Sequence, residues 1–431
     1  MKKLLGLTFG IMTALGGFLD FGQIVFTMQA GALFEYRLLW AVALGTFAII
    51  VYMEMCGRVA VVAHEPVLSV VRTCFGDRWG LVTLIASQLL TVITCAAELG
   101  GSAIVLHLLT GWSGKLLTIG VTAMIGASVA LLRFQWIERS YGLAGLAMLV
   151  FAVAAISLHP DWQAVVRGLG PRLTAGNSVG NSSYYYFAVG IFSAMLMEYE
   201  VQFYSSGAIE EDWKVKDLPE NFLVAGFGSV LGGLLTVALV IAAATVFAPR
   251  GIFPVLLSTT MLPAALPLGE AGLMLALAGT LACLTGAAVE TSMSSAYKFC
   301  QFFNLPWGKS LPAKKARVFT AIWAGTLAVG ALTVVAGARP ADARESLGDF
   351  RDDADAADLL PDSASGDGRG RDGQACEPQD RYGDGRRGAG ADCGSCRRGD
   401  SADDRDAVGN AVSPMMISAT DQEQRLVSAE I

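Results

Sequence analysis

Apolar runs of about twenty residues recur along most of this chain and limit what it can fold into. Each is long enough to cross a bilayer as a helix, which satisfies its own backbone hydrogen bonds in lipid. The composition agrees, because 53% of the 431 residues are hydrophobic and only 16% are charged. We predict an all-α polytopic membrane protein with nine spans, at 4–33, 38–60, 81–110, 115–134, 141–158, 184–207, 220–248, 271–303 and 316–338.

Charge divides the chain into two parts. Residues 1–340 carry 20 Lys and Arg against 17 Asp and Glu, whereas residues 341–431 carry 11 Arg against 21 acidic residues. With the N-terminus inside, fourteen basic residues fall in inside loops, Lys298 among them, and five fall outside, as the positive-inside rule requires. The sequence therefore predicts a transporter-like membrane domain over residues 1–339, in the cell (inner) membrane.

Residues 340–431 form the second predicted unit. They are rich in Gly, Asp, Arg and Ala and show no periodicity that could bury a core, which is typical of a disordered acidic tail. A one-base shift of the reading frame near Pro340 would turn parts of this tail into apolar runs with a basic loop between them. We therefore interpret the tail as frameshifted, and the membrane domain as truncated after about nine spans.

An aspartate in the middle of the first apolar run is the strongest indication of function. Asp20 lies among Gly16, Gly17 and Gly22, and an aspartate at bilayer depth costs about 3 kcal/mol on insertion scales. The glycines weaken the helix there, and a broken helix in a membrane frees carbonyl groups that must face water, protein or an ion. Asp20 is therefore predicted to be half of a cation site. A structural contact with a neighbouring helix is the alternative.

Two acids and a thioether interrupt the sixth span at Met197, Glu198 and Glu200. Interrupted spans at corresponding positions of two halves indicate a midplane site in a transporter built from inverted repeats. The alternatives are core filling for Met197 and a wet inner vestibule for Glu200.

Three other spans also carry acids. Glu98 lies deep in the third span and is a candidate proton carrier. Glu54 can pair locally with Arg58, and Glu290 lies on a small, polar face suited to close helix packing.

Three motifs in order resemble the Nramp (natural-resistance-associated macrophage protein) family of divalent metal transporters. Asp20–Gln23 and Gln29–Ala32 stand where the family's first span has Asp-Pro-Gly-Asn and Gln-Ala-Gly-Ala. Ala194–Tyr199 corresponds to Ala-x-x-Met-Pro-His of the sixth span. Cys95–Glu98, followed by Gly101–Ala103, corresponds to Asp-Leu-Ala-Glu and Gly-Ser-Ala of the third.

The resemblance implies a leucine-transporter-like inverted-repeat fold with broken first and sixth helices. It also implies one metal ion held by Asp20, Gln23, the backbone carbonyl of Ala194 and the sulfur of Met197, and we add Glu198 as a further oxygen ligand. A proton or coupling pathway is expected along three further side chains, those of Glu98, Tyr199 and Glu200.

The sequence departs from the family pattern at several of these positions. Phe21 and Glu198 replace the two prolines, Gln23 replaces asparagine, Tyr199 replaces the histidine and Cys95 replaces an aspartate. The chain therefore resembles a divergent branch, in which Glu98 is the best remaining proton carrier and uncoupled transport is the alternative. Oxygen ligands suit hard cations and a thioether suits softer ones, so Mn²⁺ or Mg²⁺ is expected, with Mn²⁺ fitting both ligand types.

The predicted function is transport of a divalent metal ion by alternating access. We expect no enzymatic activity, no cofactor and no nucleic-acid partner; the metal ion is the substrate and the bilayer is the surroundings. The alternatives are a cation-coupled transporter of amino acids or small solutes, and a membrane sensor or scaffold. Since alternating access needs both five-helix units, we expect the chain as written not to transport.

Overall fold

The computed structural model describes residues 19–132, 134–171, 180–309 and 311–337, and α-helices make up most of them. Residues 4–18 of the first predicted span and the predicted tail at 340–431 lie outside the described residues. The α-helices are α1 (Phe21–Phe34), α2 (Leu39–Ala63), α3 (Val67–Phe75), α4 (Asp77–Thr110), α5 (Gly114–Leu131), α6 (Phe134–Gly145), α7 (Leu149–Ser157), α8 (Trp162–Gly168), α9 (Asn181–Met195), α10 (Glu198–Glu210), α11 (Leu218–Val246), α12 (Leu257–Thr260), α13 (Leu262–Phe302) and α14 (Arg317–Val335).

Within the described residues, seven helical segments are long and apolar enough to cross a membrane. They are Leu39–Ala63, Asp77–Thr110, Gly114–Leu131, Ser140–Ser157, Val215–Arg250, Leu262–Phe302 and Arg317–Val335. Each coincides with one predicted span. The first and sixth predicted spans correspond to the shorter α1 and to the pair α9 and α10, so the polytopic helical fold is confirmed.

The surface of this bundle is apolar, as expected where helices face lipid. Large hydrophobic side chains are exposed along most of the spans: Leu44, Phe47, Ile85, Leu89, Ile93, Leu116, Ile119, Leu223, Phe227, Leu234 and Leu332. Many polar side chains, in contrast, are buried inside the bundle. The polar groups of the spans therefore face one another, which places the candidate site in the interior.

The order of the helices repeats. A helix that follows non-helical backbone (α1, then α10) is followed by a long helix (α2, then α11), a short one (α3, then α12) and a long central one (α4, then α13). A fifth helix follows in both series (α5, then α14). This is the repeated arrangement expected of a leucine-transporter-like fold.

Two helices of the two series, α4 and α13, make the most extensive contact in the bundle. Helix α11 packs on α1 and α2, and small residues allow the close approach. A Cβ atom added to Gly31 of α1 would lie 2.7 Å from the carbonyl oxygen of Val240 in α11. Helix α1, which Asp20 precedes, is thus packed closely against the second half of the fold.

Helix α13 bends sharply before it enters the core. Gly269 has a φ of 62° and a ψ of −150°, a conformation that glycine adopts without strain, and Pro267 precedes it. The segment after the bend matches the predicted span 271–303. One assignment was wrong: Lys298, counted above among the inside loops, lies within α13 and is fully buried.

Candidate metal centre

Asp20 ends the non-helical backbone that precedes α1. Its φ and ψ are −86° and 172°, and its carboxylate accepts a hydrogen bond of 2.6 Å from the backbone N–H of Gln23. Aspartate is among the best residues for this N-cap position, because it satisfies an amide that the first turn leaves unpaired. The same hydrogen bond holds the carboxylate in one orientation at the start of α1, which suits a metal ligand.

The side chain of Gln23 joins the two halves of the fold. Its Nε2 donates to Oγ1 of Thr236 in α11 at 2.8 Å and to the sulfur of Met195 in α9 at 3.3 Å. Its Oε1 is buried and has no hydrogen-bond partner among the described residues. The amide hydrogens are therefore engaged, and the amide oxygen remains an available ligand.

The sixth predicted span is broken, as the resemblance implied. Helix α9 ends at Met195, Leu196 adopts a φ of −98° and a ψ of 55°, and α10 starts at Glu198. Ala194 lies in the last turn of α9, where backbone carbonyls lack the amide that a continuing helix would supply. The break forms without the family's proline, and it leaves a carbonyl such as that of Ala194 available to a cation.

The sulfur of Met197 has a partner that the sequence did not indicate. The hydroxyl of Tyr199 donates a hydrogen bond of 3.0 Å to it. The same hydroxyl interacts electrostatically with four carboxylates, those of Asp20, Glu98, Glu200 and Glu290. Tyr199 therefore contacts the thioether and lies within electrostatic range of the acids of the candidate site.

Glu98 connects the central helix α4 to the start of α1. Its Oε1 accepts a hydrogen bond of 3.0 Å from the backbone N–H of Phe21, whereas its Oε2 is buried with no hydrogen-bond partner among the described residues. The side chain is fully buried. This acid from the third predicted span therefore shares the local structure that holds Asp20.

Two further acids are buried without hydrogen bonds. All four carboxylate oxygens of Glu200 and Glu290 lack a partner within the part of the chain that the structure describes. The two side chains interact electrostatically with each other, and Glu200 also with Asp20. Glu200 is buried, so the alternative of a wet vestibule does not hold in this conformation.

Glu198 was predicted to be a further oxygen ligand of the metal ion, and in the structure its carboxylate has partners within the protein. Its carboxylate forms an ion pair of 3.1 Å with Lys298 of α13 and accepts a hydrogen bond of 2.6 Å from the hydroxyl of Ser87. Sequence reasoning missed Lys298, although the apolar residues that follow it indicated that the helix continues. Glu54, in contrast, pairs with Arg58 at 2.6 Å, as its position had suggested.

The candidate metal ligands are of several chemical types. No group of three or more His, Cys, Asp or Glu side chains among the described residues is close enough to hold a metal ion. The ligands that the resemblance implied are instead one carboxylate, one amide oxygen, one backbone carbonyl and one thioether. Such a set suits a divalent ion that accepts both oxygen and sulfur.

Comparison with known proteins gives one family. The family model described as natural resistance-associated macrophage protein-like matches residues 10–344. The divalent metal cation transporter MntH of Listeria welshimeri is 25% identical over 249 residues, which are 54% of this chain and 54% of that protein. MntH of Levilactobacillus brevis is 29% identical over 194 residues, 44% of this chain and 41% of that protein. The chain thus spans about half the length of these relatives.

Solved structures show the same fold. A crystal structure of the manganese transporter of Eremococcus coleocola, in complex with an aromatic bis-isothiourea compound, has a TM-score of 0.61 at 20% identity. The match covers 80% of this chain and 73% of that one. A Na⁺-coupled sialic acid symporter has a TM-score of 0.52 at 13% identity, with 77% and 74% covered. At these identities the likeness concerns the fold alone.

Proposed function

Because the chain belongs to the natural resistance-associated macrophage protein (Nramp) family, we propose that it binds a divalent metal ion between the start of α1 and the break that separates α9 from α10. This site serves alternating-access transport of the ion in a chain that has both five-helix units, and the chain as written is expected to bind the ion without transporting it. The proposed ligands are the carboxylate of Asp20, the amide oxygen of Gln23, the carbonyl of Ala194 and the sulfur of Met197. The metal ion is the substrate, and the chain is an integral, multi-pass membrane protein.

This proposal rests on the contact between the start of α1 and the break after α9. Gln23 lies in the first turn of α1, and its amide reaches Met195 at the end of α9. The start of α1 and the break after α9 therefore meet inside the bundle, at the place where inverted-repeat transporters bind their substrates. Asp20 and Met197 lie beside this contact, each at the edge of one break.

The electrostatics of the backbone favour a cation at the proposed metal site. The C-terminal end of α9 carries about half a negative charge from its unpaired carbonyls. The N-terminal ends of α1 and α10 are positive, but the carboxylates of Asp20 and Glu198 lie at these ends and compensate. The site therefore has a negative balance before any ion enters.

Buried acids argue against an anionic substrate. Oxygens of Glu98 and Glu200 are buried without hydrogen-bond partners in the described residues, and both acids lie within electrostatic range of Tyr199. In their ionised forms these groups would repel a substrate carboxylate and attract a cation. Metal transport is therefore favoured over amino-acid transport, the alternative on the same fold.

We further propose that movement of the metal ion is coupled to protons through Glu98. The side chain is buried, lies next to the start of α1, and has one carboxylate oxygen without a hydrogen-bond partner in the described residues. A metal ion at Asp20 would stabilise the ionised form of Glu98 and expel any proton bound there. Tyr199 takes no part in this step as a carrier; it acts through its hydrogen bond to Met197.

The test is calorimetric titration of the purified full chain with Mn²⁺, Mg²⁺ and Ca²⁺. Asp20→Ala should abolish binding of all three, because the only carboxylate among the proposed ligands is lost. Asp161→Ala is a matched control, since Asp161 also caps a helix, accepting hydrogen bonds from Gln163 and Ala164, but lies on the exposed α8. Unchanged Mn²⁺ affinity in Asp20→Ala would refute the proposed site.

A further inference from the structure

Lys298 is held in a pocket of oxygen atoms inside the bundle. Its side chain is 0% exposed, although lysine is almost never fully buried without partners. Its Nζ donates to the carbonyl oxygen of Ser87 at 3.2 Å and to the hydroxyls of Ser87 and Thr91. The carboxylate of Glu198 completes the set at 3.1 Å. Every hydrogen of the ammonium group therefore has an acceptor.

The pocket joins three helices at the break. Ser87 and Thr91 belong to α4, Lys298 belongs to α13, and Glu198 is the first residue of α10. The hydroxyl of Ser87 also donates to Glu198 at 2.6 Å, so two groups hold this carboxylate. The first turn of α10 is thereby fixed to the two central helices.

Met197, a proposed metal ligand, directly precedes this fixed turn. No proline defines the break, so the direction of the Met197 side chain depends on where α10 begins. The side chain of Lys298 is fully buried and that of Glu198 is 22% exposed, so loss of Glu198 would leave an uncompensated buried charge on the lysine, which is costly. The pair is therefore strongly favoured once formed, and it holds the chain beside Met197 in one conformation.

We propose that Lys298 is a positioning residue for the metal site: by holding Glu198 it sets the start of α10 and thus the direction in which Met197 presents its sulfur. Lys298 does not touch the ion. The inference rests on the proposed function, since it concerns one ligand of that site. It assigns Glu198 a role in holding the helix.

The experiment compares a soft ion with a hard one. Cd²⁺ prefers a thioether and Mg²⁺ does not, so the ratio of their affinities reports on the sulfur of Met197. Binding to the purified full chain is measured by calorimetry. Lys298→Met and Met197→Ala should each weaken Cd²⁺ binding by about tenfold or more, the range seen when residues that orient metal ligands are lost. Mg²⁺ affinity should stay nearly constant.

Combining the two changes should add little to either alone, because both act through the same sulfur. Lys298→Arg, which keeps a charged donor, should retain most of the Cd²⁺ preference. Arg58→Met is the control, since it breaks the exposed ion pair with Glu54 and should alter neither affinity.

A double variant with a neutral pair serves as the control for correct folding. Lys298→Met alone leaves the partly buried Glu198 without its ion-pair partner, whereas Lys298→Met combined with Glu198→Gln removes both charges. This double variant should fold and still lose the Cd²⁺ preference. Normal Cd²⁺ preference in it, equal loss of both ions, or additive effects with Met197→Ala would overturn the positioning role. Failure of the unaltered chain to bind either ion would instead overturn the proposed function, and the positioning role with it.

Discussion

The hydrogen bond from Tyr199 to Met197 predicts that Tyr199→Phe improves binding of soft metal ions. In the structure the hydroxyl lies 3.0 Å from the sulfur, so a metal ion must displace it before the thioether can coordinate. Phenylalanine keeps the ring and removes only the donor. The sulfur is then available to the ion at no cost.

The magnitude follows from the contact that is lost. A buried hydrogen bond between neutral groups contributes about 0.5–1.5 kcal/mol net. That free energy corresponds to about a two- to tenfold gain in affinity for an ion that uses the sulfur. Since sulfur is a weak acceptor, the lower half of this range is expected for Cd²⁺. Mg²⁺ does not use the sulfur and should bind with unchanged affinity.

Calorimetric titration of Tyr199→Phe with both ions measures this difference. Tyr36→Phe is the matched control, because Tyr36 also has a hydrogen-bonded hydroxyl, 3.0 Å from Thr245, but lies beyond the opposite end of α1. Weaker Cd²⁺ binding in Tyr199→Phe, or an equal change for Cd²⁺ and Mg²⁺, would refute the reasoning. The first result would mean that the hydroxyl helps to hold the ion.

Two further predictions concern the start of α1. A Cβ atom at Gly101 would lie 2.6 Å from the ring of Phe21, so Gly101→Ala should shift the start of α1, lower Mn²⁺ affinity in calorimetry and destabilise the fold by about 1–3 kcal/mol. Gly120→Ala, a helical glycine with open space around it, should leave affinity unchanged and raise the melting temperature slightly. Glu98→Gln keeps an oxygen for the Phe21 amide but cannot carry a proton, so Mn²⁺ binding measured in two buffers of different ionisation enthalpy should lose its proton release. No proton release in the unaltered chain would remove Glu98 from any coupling.

Hydropathy was sufficient to predict the spans, because a bilayer imposes length and apolar character on each segment separately. The non-helical backbone at Asp20 was also predictable, since the glycines around this acid weaken a helix. The break before Glu198 followed from the resemblance. Each of these predictions used information contained within one segment of the chain.

Contacts between segments could not be predicted in the same way. Lys298 lies near the end of a predicted span, where lysine usually extends to the membrane surface, and only the packing of α4 and α13 shows that it is buried. The contact between Tyr199 and Met197 joins residues two apart, which do not face each other on a continuous helix. It exists because the helix starts between them. Both contacts depend on three-dimensional geometry that hydropathy does not contain.

The proline-free break has a consequence for how the protein is made. Nothing in the local sequence at Leu196 and Met197 stops a helix, so residues 181–210 can enter the bilayer from the translocon as one continuous helix. Glu198 would then be carried into lipid without a counter-charge, at about 2.5–3.5 kcal/mol, until Lys298 arrives roughly a hundred residues later in synthesis. We therefore expect the break to form late in assembly, so that early intermediates of biogenesis contain an unbroken sixth helix.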